Sequence, residues 1–352
     1  MLLMRKIYFK NEEKNYNAHK KNHKMRYTAK MISKKKAEQY LVERINKTGG
    51  LNSLLSFPRY LEIETIHKCN AKCSMCPIHN QSISRGAMSK ELFEKIAEEL
   101  HDYKNIIKRV SLYRDGEPLL DRTLHSKIYL LKKIGIKEVV ISSNISILNS
   151  EKTKQLLDSN LDIIIMSIDS LKKNIYNKIR KGLNFDNVVQ NALNFIQLRN
   201  KLNSKTKIWI RMIRQELNWN EWDEYKQFWK GHLNDSDRIN YHLIHNWGGQ
   251  VNIQNAKKSY QPQMPCVALW SQIVIFANGD VPMCNVDYSN SQPNGSILNQ
   301  SIYDVWHSNE INNRRTLHLT GKKQLIKLCK ECNAWDEPSD VKCISKDYYN
   351  DR

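Results

Sequence analysis

Six times between residues 60 and 244 the sequence switches from a short β-branched, apolar run to a longer stretch with helical periodicity, and few folds accept that alternation. The runs at 60–66, 109–113, 138–142, 162–168, 207–213 and 238–244 have the length of strands. Ser89 to Leu100 is typical of the stretches between them, with Leu92, Ile96 and Leu100 recurring every four residues behind a Ser89 cap. Gly135 stands where a helix stops before the third run, and Ser150 where the next helix begins. Strands and helices in strict alternation predict a parallel sheet with right-handed crossovers. Six units predict an α/β fold, an open, partial (β/α)6 barrel, whose chemistry collects in the loops at the C-terminal ends of the strands.

The alternation occupies residues 58–250, and the flanks differ from it. Residues 1–57 are expected to form a basic N-terminal extension with some helix around Lys35 to Ile45 and a turn-rich end from Gly49-Gly50 to Pro58. Its sharpest segment, Lys20 to Lys36 (KKNHKMRYTAKMISKKK), is expected as a solvated arm. A formal charge of +20 attracts phosphates or nucleic acid, yet lysine, asparagine and isoleucine are abundant together, as simple compositional bias produces, and a nucleic-acid partner is not expected. Residues 251–352 are expected to form a smaller cysteine-bearing module. There, 272–276 and 280–283 are strand-like around Asn278-Gly279, a hairpin signal, and a Ser301/Asp304 capping box opens a helix expected to reach Arg315. No apolar run approaches the roughly 18 residues of a membrane span. Arg5 and Lys6 interrupt any signal-peptide core, and Glu12 and Glu13 argue against a presequence, so the cytoplasm is the expected location.

Eight cysteines in such a compartment are expected as reduced thiols, available for ligation or catalysis. Cys69-Asn70-Ala71-Lys72-Cys73-Ser74-Met75-Cys76 follows the first predicted strand directly. A cubane iron–sulfur cluster normally takes four thiolates; cysteines four and three residues apart in one tight loop wrap three irons and leave the fourth open. An open position is what a catalytic metal site needs. Zinc on the three cysteines with His67 or His79 is the alternative occupant.

This loop and several separate motifs resemble the radical SAM superfamily over residues 58–345. Tyr60-Leu-Glu-Ile-Glu-Thr leads into the cysteines as that family's first strand does. Asp115-Gly116-Glu117-Pro118 after the second strand is similar to the Gly-Gly-Glu-Pro motif, with Asp115 in place of the first glycine. The resemblance implies that Gly116 and Glu117 receive the amino group of S-adenosylmethionine (SAM). It also implies that Ser142-Ser143-Asn144 and Ser167 face the ribose, that Met75 packs near the adenine, and that Arg180 in YNKIRKG lies near the SAM carboxylate. Taken singly, Asn144 and Ser167 read as turn or cap residues and Arg180 as a helix C-terminal cation. The implied chemistry is reductive cleavage of SAM on the open iron, giving a 5′-deoxyadenosyl radical that takes hydrogen from an unactivated carbon.

Cys266, Cys284, Cys329 and Cys332 form a second set, whose spacing alone suits structural zinc. The stretches around Pro265-Cys266, Gly279-to-Cys284 and Cys329-to-Trp335 look like the SPASM or twitch modules of radical SAM enzymes, which implies an auxiliary [4Fe–4S] cluster. Only Cys343 remains, too few for a second auxiliary cluster; it is read as a buried thiol or a hydrogen-atom donor. The resemblance implies an oxidoreductase or epimerase acting at a carbinol carbon of a sugar, aminocyclitol or related small molecule, served by an electron donor such as flavodoxin or ferredoxin. A peptide maturase and a zinc-bearing RNA-binding protein are the alternatives. Arg211, His242, His245 and Trp247 are candidate pocket residues.

Overall fold

The computed structural model describes residues 33–45, 55–80, 84–252 and 264–332. The basic arm before residue 33, Trp335 and Cys343 lie outside them. All six predicted strands form: β1 (Tyr60–Ile63), β2 (Arg109–Ser111), β3 (Val139–Ser143), β4 (Ile163–Ser167), β5 (Lys207–Arg214) and β6 (Arg238–Leu243). Each pairs in parallel with the next, as expected of an open, partial β/α barrel. The intervening helices cover its outer face. Ser89 caps the helix Lys90–Asp102 by accepting from the Leu92 N–H, and that helix buries Leu92, Phe93, Ile96, Ala97 and Leu100. Gly135, at φ 94°, ends the helix before β3. Such a conformation costs glycine nothing and other residues a steric penalty.

The period of two along each strand separates the layers. Val139, Ile141, Ile164, Met166, Ile208 and Ile210 point outward into the main core. Val140, Ile163, Ile165 and Trp209 point inward and form a separate apolar floor in the lumen. One step further along the inward face come Ser142, Ser167 and Arg211, so the lumen turns polar at the C-terminal strand ends.

The C-terminal residues depart from expectation in two places. The Asn278-Gly279 turn forms, with the Phe276 N–H donating to the Asp280 carbonyl at 2.8 Å and Gly279 at φ 86°. Beyond that one bond, however, no ladder joins the run before it to the run after it. β7 (Gln272–Ile275) joins the main sheet parallel to β1, giving the order β6-β5-β4-β3-β2-β1-β7, while β8 (Asp280–Val281) pairs antiparallel with β9 (Gly295–Ser296). The free edge of β1 offers a full ladder to a strand whose Ile273 and Ile275 are buried, more than a two-residue hairpin partner can supply. The helix expected from Ser301 to Arg315 is two helices, Ile302–Trp306 and Asn309–Leu319. Ser301 and Asp304 form the predicted capping box, and Ser308 caps afresh by accepting from the Ile311 N–H. The N-terminal helix Lys34–Ile45 packs on these C-terminal residues, with Leu41 against Val267, Leu269 and Trp270.

Candidate active site

The three-cysteine loop leaves β1 and is clasped from two sides. Lys72 N–H donates to the Lys181 carbonyl (2.7 Å) and Ser74 N–H to the Ile179 carbonyl (2.9 Å), tying the loop to the segment after β4. On the other side Glu117 N–H donates to the Lys68 carbonyl at 2.8 Å. Gly116 makes that approach feasible, since a Cβ there would stand 1.9 Å from the Ile66 carbonyl oxygen. The glycine of the motif is therefore required by backbone contact.

Arg180 is the charged centre of the clasp. Its Nε donates to Asp169 Oδ2 at 2.6 Å and its Nη1 to Cys73 Sγ at 3.6 Å, while Asp169 Oδ1 accepts the Ile213 N–H at 2.6 Å. Asp169, which sequence reasoning left without a role, thus fixes the arginine beside the cysteines. Glu117 is buried and accepts from Ser143 Oγ (2.7 Å), Leu119 N–H (3.0 Å) and Asn144 N–H (2.8 Å). Burial pushes its carboxyl up, opposed by these three donors. A carboxylate offers about four acceptor positions, so one remains, on Oε2. Asn144 Oδ1 accepts from Ser146 N–H and Oγ, and its Nδ2 donates to Asn70 Oδ1, so its amide holds the cysteine loop. Met75 is buried, and its carbonyl accepts from Trp247 Nε1 at 3.1 Å.

Asp115, the departure from the motif, has a structural account. Arg85 Nη2 donates to Asp115 Oδ2 (2.8 Å) and Glu64 Oε1 (3.0 Å), Arg85 Nη1 reaches the Tyr288 carbonyl (3.1 Å), and the guanidinium lies over Phe276. The carboxylate at 115 joins the SAM-motif loop to the C-terminal residues through a buried arginine. Glu64, His67 and Asp115 also bring three ligand atoms within 4.8 Å of one another, but Arg85 already supplies the cation there.

Above the lumen floor lies a cavity of 370 Å³. Its barrel wall includes Glu62, Tyr113, Arg114, Ser142, Ser167, Arg180, Arg211, His242, His245 and Trp247, and Cys266, Cys284, Cys329 and Cys332 line it from the C-terminal side. The expected pocket residues Arg211, His242, His245 and Trp247 are thus brought together with Ser142, Ser167 and Arg180. Glu62 and Arg114 were missed, although Glu62 alternates with buried Leu61 and Ile63 and that period places it in the lumen. Burial, then the Arg114 cation, lowers the His245 imidazole to about 4; burial, then Arg211, lowers His242 well below its ordinary value. Burial raises the Glu62 carboxyl, with Arg114 opposing.

None of the seven described cysteines is in a disulfide. Burial pushes the Cys69 thiol up to about 11 and the Cys76 thiol up to about 12, and burial likewise raises Cys284 and Cys329. Charges on neighbouring cysteines add to the shift within each set. On a single tetrahedral zinc, sulfurs stand about 3.8 Å apart, given Zn–S bonds of about 2.3 Å. Among the described residues neither cysteine set brings three ligand atoms within 4.8 Å. Sets of three and of four thiols are the donor sets that cubane clusters take, so the residues present fit such clusters.

Comparison with known proteins agrees. A radical SAM superfamily model matches residues 63–212, and the SPASM iron–sulfur cluster-binding domain model matches 266–333. A SAM-dependent 2-deoxy-scyllo-inosamine dehydrogenase of Niallia circulans is 23% identical over 283 residues, 78% of this chain and 92% of that enzyme. A probable GTP 3′,8-cyclase of Sulfurisphaera tokodaii is 32% identical over 130 residues, 37% of this chain, and the match spans only 40% of that protein's length. Among solved structures, BtrN with AdoMet and 2-DOIA aligns with a TM-score of 0.56 at 19% identity, covering 79% of this chain and 93% of BtrN. Streptococcus suis SuiB bound to precursor peptide SuiA aligns at 0.61 and 18% identity, covering 79% and 69%. Radical SAM domains take SAM and a [4Fe–4S] cluster, and SPASM domains a further iron–sulfur cluster. The chain belongs to the radical SAM superfamily, in the subgroup that carries a SPASM domain.

Proposed function

We propose that this enzyme oxidises or epimerises a carbinol carbon of a sugar, aminocyclitol or similar small polyol. The observation that carries the reading is the 370 Å³ cavity, walled by polar barrel-end side chains on one side and by four cysteines on the other. Ser142, Ser167 and Arg180, the proposed SAM contacts, take part of that wall, so the space left beside bound SAM suits one small molecule. Cys69, Cys73 and Cys76 hold the cluster with the open iron, and Cys266, Cys284, Cys329 and Cys332 the closed one. Gly116 and Glu117 serve the SAM amino group, Arg180 its carboxylate, Ser142 and Ser167 the ribose, and Met75 the adenine. When bound, SAM and the first cluster supply a 5′-deoxyadenosyl radical. The protein's part is to hold the target carbon beside the ribose that Ser142 and Ser167 face and to keep water out. Glu62, its carboxyl raised by burial, is placed to take a hydroxyl proton during oxidation to a ketone. The enzyme works in the cytoplasm with a flavodoxin- or ferredoxin-like electron donor.

The test is anaerobic reconstitution with SAM, a reductant and polyols deuterated at each carbinol carbon. Deuterium in 5′-deoxyadenosine together with a ketone or inverted product supports the reading, and turnover dependent only on a peptide replaces it with peptide maturation. About eight irons per chain are expected for two cubanes. Stoichiometric zinc with little iron would overturn the cluster assignment.

A further inference from the structure

His318 sits in the helix Asn309–Leu319, outside every sequence motif described above, and it is 1% exposed. Its ring touches two of the four C-terminal cysteines. Nδ1 lies 3.1 Å from the backbone nitrogen of Cys266, and Nε2 lies 3.4 Å from Cys329 Sγ. A backbone N–H can only donate, so Nδ1 is the acceptor nitrogen and carries no proton. The ring is then the tautomer with its hydrogen on Nε2, and that hydrogen faces the Cys329 sulfur. The edge of Trp270, 6.4 Å between ring centroids at 67°, packs beside the imidazole and limits its rotation.

We infer that His318 is a positioning residue for the four-cysteine cluster, whose Nε2–H donates to Cys329 Sγ and raises the cluster's reduction potential. The inference rests on reading Cys329 as a cluster ligand. Its sign follows from charge. Reduction adds an electron to a group whose negative charge is shared by the ligand sulfurs, so a donor at one sulfur stabilises the reduced form more than the oxidised one. A higher potential makes that cluster a better acceptor for an electron leaving a substrate carbon. Because the same ring accepts from Cys266 N–H, it also fixes the spacing between one ligand's backbone and another's sulfur, as outer partners do around many metal sites.

The experiment is a redox titration, followed by electron paramagnetic resonance, of the full-length chain with Cys69, Cys73 and Cys76 replaced by alanine, so that one cluster contributes. His318→Phe fills the same space without the N–H and should move the midpoint to more negative potential. At fixed solution potential the reduced-to-oxidised ratio should fall about tenfold, which for one electron is about 59 mV. His318→Gln, whose amide NH2 reaches the position of Nε2, should restore a midpoint near that of the parent. An unmoved midpoint in an iron-replete His318→Phe chain, or equal shifts in both variants, overturns the inference alone. If His318→Phe loses its iron, the parent chain still decides: 15N-histidine coupling to the reduced cluster is expected, and its absence overturns the inference. A parent chain without four irons at these cysteines overturns the cluster reading and the inference with it.

Discussion

The two cysteine sets solve opposite problems. Cys69, Cys73 and Cys76 come from eight consecutive residues, and the work of the surrounding structure is to hold one short loop against its neighbours while leaving a coordination position open. Cys266, Cys284, Cys329 and Cys332 are gathered from a turn, a loop and a short helix spread over 67 residues, and there the work is to bring distant segments together and close the site. Accordingly the first set is held by backbone clasps, a glycine contact and the Arg180–Asp169 pair, the second by side chains such as His318. A local site depends on the exactness of its contacts; a distributed one depends on the fold that assembles it.

The harshest way to break this contrast is to remove ligands. Cys69, Cys73 and Cys76 changed together to alanine should abolish SAM cleavage and remove half the iron, whereas Cys284→Ala should still release 5′-deoxyadenosine yet convert no substrate. Iron analysis and chromatography of the nucleoside check both, after circular dichroism has established the fold. Loss of SAM cleavage in a folded Cys284→Ala chain with its first cluster intact would refute the division of labour.

Next in size is Arg180→Ala, which leaves Asp169 buried without its cation. A loss of about 3–5 kcal/mol is expected on denaturant unfolding of the metal-free chain, because the carboxylate keeps its desolvation cost. A loss under 1 kcal/mol would mean the clasp does not depend on this pair. Gly116→Ala should cost about 3 kcal/mol, since the new methyl meets a backbone carbonyl that can retreat only by opening the loop. SAM affinity should fall with it, and iron bound at the C-terminal set should not.

The smallest effect is one of pH, and it concerns the wall between the two sets. His245 has its imidazole lowered to about 4 by burial and by Arg114, so on acidification the unfolded chain takes up a proton near pH 6.5 before the folded chain does. Its contribution is therefore complete above pH 6.5 and lost as pH falls toward 4, about 2 kcal/mol by pH 5. Stability measured from pH 7 to 5 should show this slope added to that of His242, whose imidazole is lowered too, and His245→Phe should reduce it by about 2 kcal/mol at pH 5. An unchanged slope would assign the acid sensitivity elsewhere.

The local site was the more legible of the two in the sequence. Six strands, the Ser89 cap, Gly135 and the cysteine loop follow from short-range periodicity and turn chemistry, and all were readable. Ser142, Ser167 and Arg211 reached the lumen because strand parity put them there. What escaped was long-range. Nothing around Gln272–Ile275 announces that it pairs with β1 rather than with its neighbour across the turn. Arg85 also reaches Tyr288, 203 residues away in the chain, and His318 reaches Cys266, 52 residues away, beyond any pattern of short period. Asn144 shows the converse limit, because a motif match could not reveal that its amide was already engaged by Asn70 and Ser146.

The pairing of β7 with β1 has a consequence for biosynthesis. The strand that carries the three-cysteine loop keeps one edge unpaired until residue 275 has left the ribosome, more than 200 residues after β1 itself. Synthesis at about 5–20 residues per second makes that delay many seconds, long enough for an open strand edge to find a wrong partner. The strand that leads into the three-cysteine loop therefore reaches its final setting only once β7 has been made. A truncated chain ending near residue 250 should aggregate through the β1 edge even when its own three cysteines are intact.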